Sequence, residues 1–101
     1  MIALKPDDAI AYNNRGATYK DLKQYDKALT DFNKAIVLNP GNEKAYYNRG
    51  ATYYGLKQYD KALVDYNKAI ALYPDYVLAY YERGDSYSDL RQHDKKWMHY
   101  Y

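Results

Sequence analysis

The chain has 101 residues, 28% of them charged, a formal net charge of +2, no cysteine and 16 tyrosines. That length allows one small domain, which buries a core only if its elements pack closely. The missing cysteine excludes a disulfide scaffold, thiol catalysis and cysteine-ligated metal, and so mild a charge argues against nucleic acid as the main partner. Apolar runs are short, as in Ala35-Ile36-Val37-Leu38, so neither a membrane-spanning helix nor a signal-peptide core is present. The absence of a targeting segment is read as a cytoplasmic location. Without tyrosine, the 48% hydrophobic content falls to about a third, so tyrosine is expected to build much of the core.

The chain repeats with a period of 34: Gly16, Gly50 and Gly84 keep that spacing, as do Pro6, Pro40 and Pro74, and Arg15, Arg49 and Arg83. Residues 1–8 read as the tail of a preceding repeat, because Ile2-Ala3-Leu4 and Pro6-Asp7 copy Ile70-Ala71-Leu72 and Pro74-Asp75. Asp7 and Asp8 then supply an N-cap with acids at the positive end of a helix over 8–21. On that helix Ala9, Tyr12, Gly16 and Tyr19 share a face. A second helix over 25–38 places Ala28, Leu29, Phe32, Ala35 and Ile36 together. Asn39-Pro40-Gly41-Asn42 breaks the chain, and the same pair of helices is expected over 42–55 and 59–72. Residues 9–42 and 43–76 agree at roughly two-thirds of positions, the mark of a duplication. After Tyr73-Pro74-Asp75-Tyr76, a third pair is expected over 76–89 and from 93 to the end. No segment alternates with period two, so strands are not expected.

A glycine inside a helix costs about 1 kcal/mol relative to alanine. Keeping one at the same register three times predicts a second helix pressed against bare backbone. Ala28, Ala35, Ala62 and Ala69 are the expected small partners, with Tyr12, Tyr19 and Phe32 filling the wedges alongside.

The order Tyr12-x2-Arg15-Gly16-x2-Tyr19, then Ala28-x3-Phe32, Ala35 and Pro40, resembles the tetratricopeptide repeat. Tyr46, Gly50, Tyr53, Ala62, Tyr66, Ala69 and Pro74 repeat it. The resemblance implies an all-α fold, a right-handed α-solenoid of antiparallel helix pairs whose first helices line a concave groove. The chain would then be one domain holding about two and a half repeats of a longer array: 9–42, 43–76 and an incomplete 77–101. Arg15, Arg49 and Arg83 depart from the family pattern, which has an apolar residue there. Their guanidinium groups are expected either to reach solvent or to meet a carboxylate such as Asp31 or Asp65.

Catalysis has no support, because no nucleophile, acid–base pair or phosphate loop converges. His93 and His99 are six residues apart, on different sides of a helix, and read as solvated surface rather than a metal site. No cofactor is implied. Lysines beside tyrosines, as at Tyr54 and Lys57, are balanced by aspartates and read as solvated helix surface rather than a nucleic-acid platform.

The resemblance therefore points to a non-enzymatic protein-interaction scaffold. Its groove, by helix register, would be lined by Asn13, Asn14, Lys44, Tyr47, Asn48, Tyr54, Leu78, Tyr81 and Glu82. Asn14 and Asn48 share a register and suit either a peptide backbone or a neighbouring helix. Tyr47, Tyr54 and Tyr81 offer rigid contact area, or cover the inner surface by stacking on one another. Family members that bind acidic chaperone tails use lysine, asparagine and arginine at set positions. Here only Asn48 matches, while Asn13, Ala17, Leu78 and Glu82 stand at the others, so such a tail is not expected to bind. A structural alternative is self-assembly through the C-terminal end, where Trp97, Met98, Tyr100 and Tyr101 gather.

Overall fold

The computed structural model describes residues 7–98, with side chains as far as Gln92. Five helices follow one another: α1 (Ala9–Asp21), α2 (Tyr25–Leu38), α3 (Glu43–Gly55), α4 (Tyr59–Leu72) and α5 (Val77–Met98). No strand occurs among the described residues.

Local chemistry sets the boundaries. Asp8 caps α1 by accepting from the Ala11 amide at 2.9 Å. Asn42 caps α3 by accepting from the amides of Lys44 and Ala45 at 3.2 and 3.3 Å. Both α1 and α3 end in a left-handed residue, Lys23 at φ 60° and Lys57 at φ 61°. Around Lys23, the Gln24 amide donates to the Tyr19 carbonyl at 2.8 Å and the Lys23 amide to Lys20 at 2.9 Å. Lys57 and Gln58 repeat that pairing with Tyr54 and Tyr53. This is a Schellman closure with lysine where glycine is usual.

Each turn folds the next helix back, giving the hairpins α1–α2 and α3–α4, and α5 then packs on α4. Within the inner row α1 touches α3 and α3 touches α5, more sparsely than the hairpin partners touch each other, and the described chain measures 53 × 29 × 18 Å. The core runs between the rows. It holds Ala28, Phe32, Ala35, Ala45, Ala62, Leu63, Tyr66, Ala69 and Ala79, with Thr52 and Ser86 buried among them.

Three expectations are corrected. The conserved-register glycines do not face alanines: a Cβ on Gly16 would lie 2.7 Å from the Phe32 ring, and one on Gly50 2.9 Å from the Tyr66 ring. Tyrosine is not the core either. Among the described tyrosines only Tyr66 is fully buried, because the core positions around it are held by alanines that leave no room for more rings. Tyr12, Tyr19, Tyr46 and Tyr53 are half-buried along the flank, roofed by the cations of Arg15, Lys27, Arg49, Lys61 and Lys68 at 5.5–5.9 Å.

The third correction concerns the expected break near residues 90–92. There, Leu90-Arg91-Gln92 copies the turn sequence Leu56-Lys57-Gln58, yet α5 runs through it without interruption. A left-handed residue costs about 1–2 kcal/mol, and only packing of the returning helix offsets it. Lys96 stands where Ala28 and Ala62 pack, and His99 where Asp31 and Asp65 pair. The return would be poorly rewarded, so the helix continues.

Candidate functional site

The inner row is held in place from beneath by ion pairs. Arg15 on α1 donates Nε and Nη2 to the two oxygens of Asp31 on α2, at 2.8 and 2.7 Å. Arg49 on α3 does the same to Asp65 on α4, at 2.8 and 2.7 Å. Bonding to the buried carboxylate holds each guanidinium above its ordinary proton affinity, against the opposing effect of burial. Arg49 also donates Nη1 to Asn33 at 3.0 Å, and Arg83 donates Nη1 to Asn67 at 3.0 Å. Of the two expected fates for these arginines, pairing is the one realised for Arg15 and Arg49. Asn33 and Asn67 were not anticipated, although their spacing of 34 was a usable signal.

Across the row, hydrogen bonds join a residue to the one 35 further on. Asn48 donates its amide to the Asn13 oxygen at 3.2 Å, and Tyr54 donates its hydroxyl to Asp89. The 35-residue step is one repeat plus one residue, the offset between facing positions on neighbouring helices. Tyr47 stacks on Tyr76 with centroids 5.0 Å apart and tilts over Tyr66 at 5.8 Å. Tyr76, from the turn before α5, had no sequence signal as a lining residue. Burial, together with Tyr47 and Glu43, pushes its phenol up to about 12. Burial and Glu82 also raise Tyr47, while the Asp89 bond, ahead of burial, raises Tyr54. These rings therefore stay neutral near pH 7 and act as stacking surfaces and donors.

Of the residues expected in the groove, Asn13, Asn48, Tyr47 and Tyr54 are thus engaged by neighbouring elements of the chain itself. Asn14, Lys44, Leu78 and Tyr81 are exposed, Leu78 by 59% and Tyr81 by 73%. Glu82 is half-buried. Side chains of Trp97, Met98, Tyr100 and Tyr101 lie outside the described residues. No cluster of three metal-ligating side chains occurs among the described residues. Two surface concavities among the described residues repeat the period: one is lined by Lys23–Lys27 and Leu56, the other by Lys57–Lys61 and Leu90.

A family model described as tetratricopeptide repeat matches residues 9–42 and again 43–76, and a second model of that description matches 65–98. No curated protein sequence matches. Among solved structures, the first repeat domain of Spaghetti (RPAP3), bound to the HSP90 peptide SRMEEVD, is 31% identical with a TM-score of 0.83. That alignment covers 86% of this chain and 69% of the other. The first such domain of human RPAP3 is 30% identical, with a TM-score of 0.86 over 90% of this chain and 72% of that one. YrrB, described as having an unusual peptide-binding site, is 32% identical with a TM-score of 0.77 over 80% of this chain and 42% of its own.

Proposed function

The chain belongs to the tetratricopeptide repeat family, and on that premise we propose that it is a non-enzymatic scaffold whose inner face binds a peptide segment of another protein. One observation carries the reading. The inner row is pre-set by Asn13–Asn48, Tyr47–Tyr76 and Tyr54–Asp89, while Tyr81 and Leu78 stand exposed beside it on α5. A rigid floor with protruding apolar and aromatic side chains binds without first paying much ordering entropy. The related domain that holds SRMEEVD lends support to a peptide as the ligand class.

The charge on this face favours a different peptide from that one. Leu78 and Glu82 stand where a carboxylate-binding groove would place cations, and Glu82, Asp85 and Asp89 make the third helix acidic. We assign the site to segments with a basic or amine group at that end, next to an apolar side chain for Tyr81. Asn14 and Lys44, both exposed on the inner helices, supply further polar contacts.

Calorimetric titration of two peptides, SRMEEVD and the same length with its three acids replaced by lysine, tests this. The lysine peptide is expected to bind, and Tyr81→Ala to weaken it about tenfold with little change in thermal midpoint. Binding of SRMEEVD in preference to the lysine peptide, or indifference of both to Tyr81→Ala and Glu82→Gln, overturns the assignment.

A further inference from the structure

The first two repeats show twice what covers the glycine face of an inner helix. On α1 the stripe Tyr12, Arg15, Gly16, Tyr19 receives Ala28, Asp31, Phe32 and Ala35 of α2. On α3 the stripe Tyr46, Arg49, Gly50, Tyr53 receives Ala62, Asp65, Tyr66 and Ala69 of α4. Each covering helix offers a small residue, an aspartate three on, an aromatic next, and a second small residue three further.

On α5 the same stripe is Tyr80, Arg83, Gly84, Tyr87, and it is bare among the described residues. A Cβ on Gly84 would meet nothing within 4 Å. Tyr80 and Tyr87 are 43% and 52% exposed, whereas their counterparts are half-buried. The rest of the site is nonetheless assembled. Arg83 lies over the Tyr80 ring at 5.0 Å, as Arg49 does over Tyr46 at 5.6 Å. Its Nη1 is held by Asn67 at 3.0 Å, just as the Arg49 Nη1 is held by Asn33. In Arg49 the remaining edge, Nε and Nη2, grips both oxygens of Asp65. In Arg83 that edge has no acceptor among the described residues. The backbone of α5 runs on as one helix to Met98, which puts His93 and the residues after it about 15 Å or more along the axis from Arg83.

We propose that the Tyr80–Arg83–Gly84–Tyr87 face is a docking site for an α-helix of another polypeptide, one carrying small, acidic, aromatic and small residues at i, i+3, i+4 and i+7. Charge complementarity and shape both specify that occupant: the guanidinium edge left without an acceptor among the described residues suits a carboxylate, and bare backbone at Gly84 admits a ring held flat against it. This stripe is distinct from Leu78, Tyr81 and Glu82, so the site does not depend on the groove reading.

The chain itself supplies the probe. A capped peptide of residues 59–72, made helical by Val64→Glu linked as a lactam to Lys68, presents Ala62, Asp65, Tyr66 and Ala69. Labelled and titrated into the full chain, it is expected to bind, with about a tenfold loss for Asp65→Asn in the peptide or Arg83→Gln in the protein. Gly84→Leu should abolish binding while leaving the free chain folded, since the new side chain enters open space. Tyr81→Ala should leave binding unchanged. The proposal is overturned if the peptide fails to bind at millimolar concentration, or binds equally well to Gly84→Leu and Arg83→Gln. It is likewise overturned if the peptide binds only after removal of 93–101, which would make that segment the occupant. Self-association of the chain that Arg83→Gln abolishes would make a second copy the occupant instead.

Discussion

Asp31 and Asp65 are each 2% exposed, and each is gripped on both oxygens by one arginine. Removing the arginine strands a buried carboxylate, which typically costs about 3–5 kcal/mol. We expect Arg49→Met to reach that range in urea unfolding and Arg15→Met to fall below it. The side chain of Arg15 is 46% exposed against 22% for Arg49, so water takes its place more readily. Tyr66 presents the opposite case. Its hydroxyl is buried with no hydrogen-bond partner among the described residues, and burial, with Glu82 nearby, raises its proton affinity well above the ordinary phenol value. Phe32 fills the equivalent place in the first repeat without a hydroxyl. Tyr66→Phe should therefore stabilise the chain by about 1 kcal/mol in the same measurement, and a loss of stability would reveal a partner for that hydroxyl.

At the scale of elements, the left-handed lysines are the weak points of the hairpins. Lys57 sits at φ 61° in a closure that glycine adopts without steric cost. Lys57→Gly relieves about 1–2 kcal/mol of strain and gives back part of it as unfolded-state entropy. A net gain of about 0.5–1 kcal/mol is expected, read as a higher urea midpoint at unchanged slope. The boundaries of α1 to α4 were legible in the sequence to within one residue. Their caps and breaks, such as Asp8 and Asn39-Pro40-Gly41-Asn42, act locally and need no tertiary partner. The end of α5 was not legible, because Leu90-Arg91-Gln92 carries the same local signal as the two real turns. What differs is the reward for folding back, and that depends on residues such as Lys96 meeting a distant helix.

Across the whole molecule, stacked tyrosines tie α3 to α4 and to the turn before α5. The Tyr76 phenol rises from an ordinary 10.0 to about 12, chiefly through burial, and Tyr47 moves in the same direction. An acid whose folded-state value is raised holds its proton longer folded than unfolded. The contribution of Tyr76 to stability is therefore fully present below pH 10, declines between about 10 and 12 as the unfolded chain ionises first, and levels off beyond. Thermal midpoints measured from pH 8 to 12 should fall over that window, and Tyr76→Phe should make the fall shallower, with Tyr47, Tyr54 and Tyr66 supplying the remainder. The candidate site was legible only in part. Register placed Asn13, Asn48, Tyr47 and Tyr54 on the inner row, but it could not show that neighbouring elements already engage them. The step of 35 that pairs Asn13 with Asn48 and Tyr54 with Asp89 is set by how two helices lie against each other.

The sequence alone determined the period, the helix type and the first four helices, because each follows from local propensity or from a spacing copied between repeats. It narrowed the fate of Arg15 and Arg49 to solvent or a carboxylate, and the structure chose the carboxylate. Only the tertiary structure decided that rings rather than alanines fill the glycine clefts. It also decided that most of the described tyrosines flank a core which only Tyr66 among them enters, and that the third repeat continues as one helix with its glycine face open among the described residues. Those outcomes depend on distances between helices far apart in the chain, where close packing admits one arrangement of volumes and leaves the others unfilled.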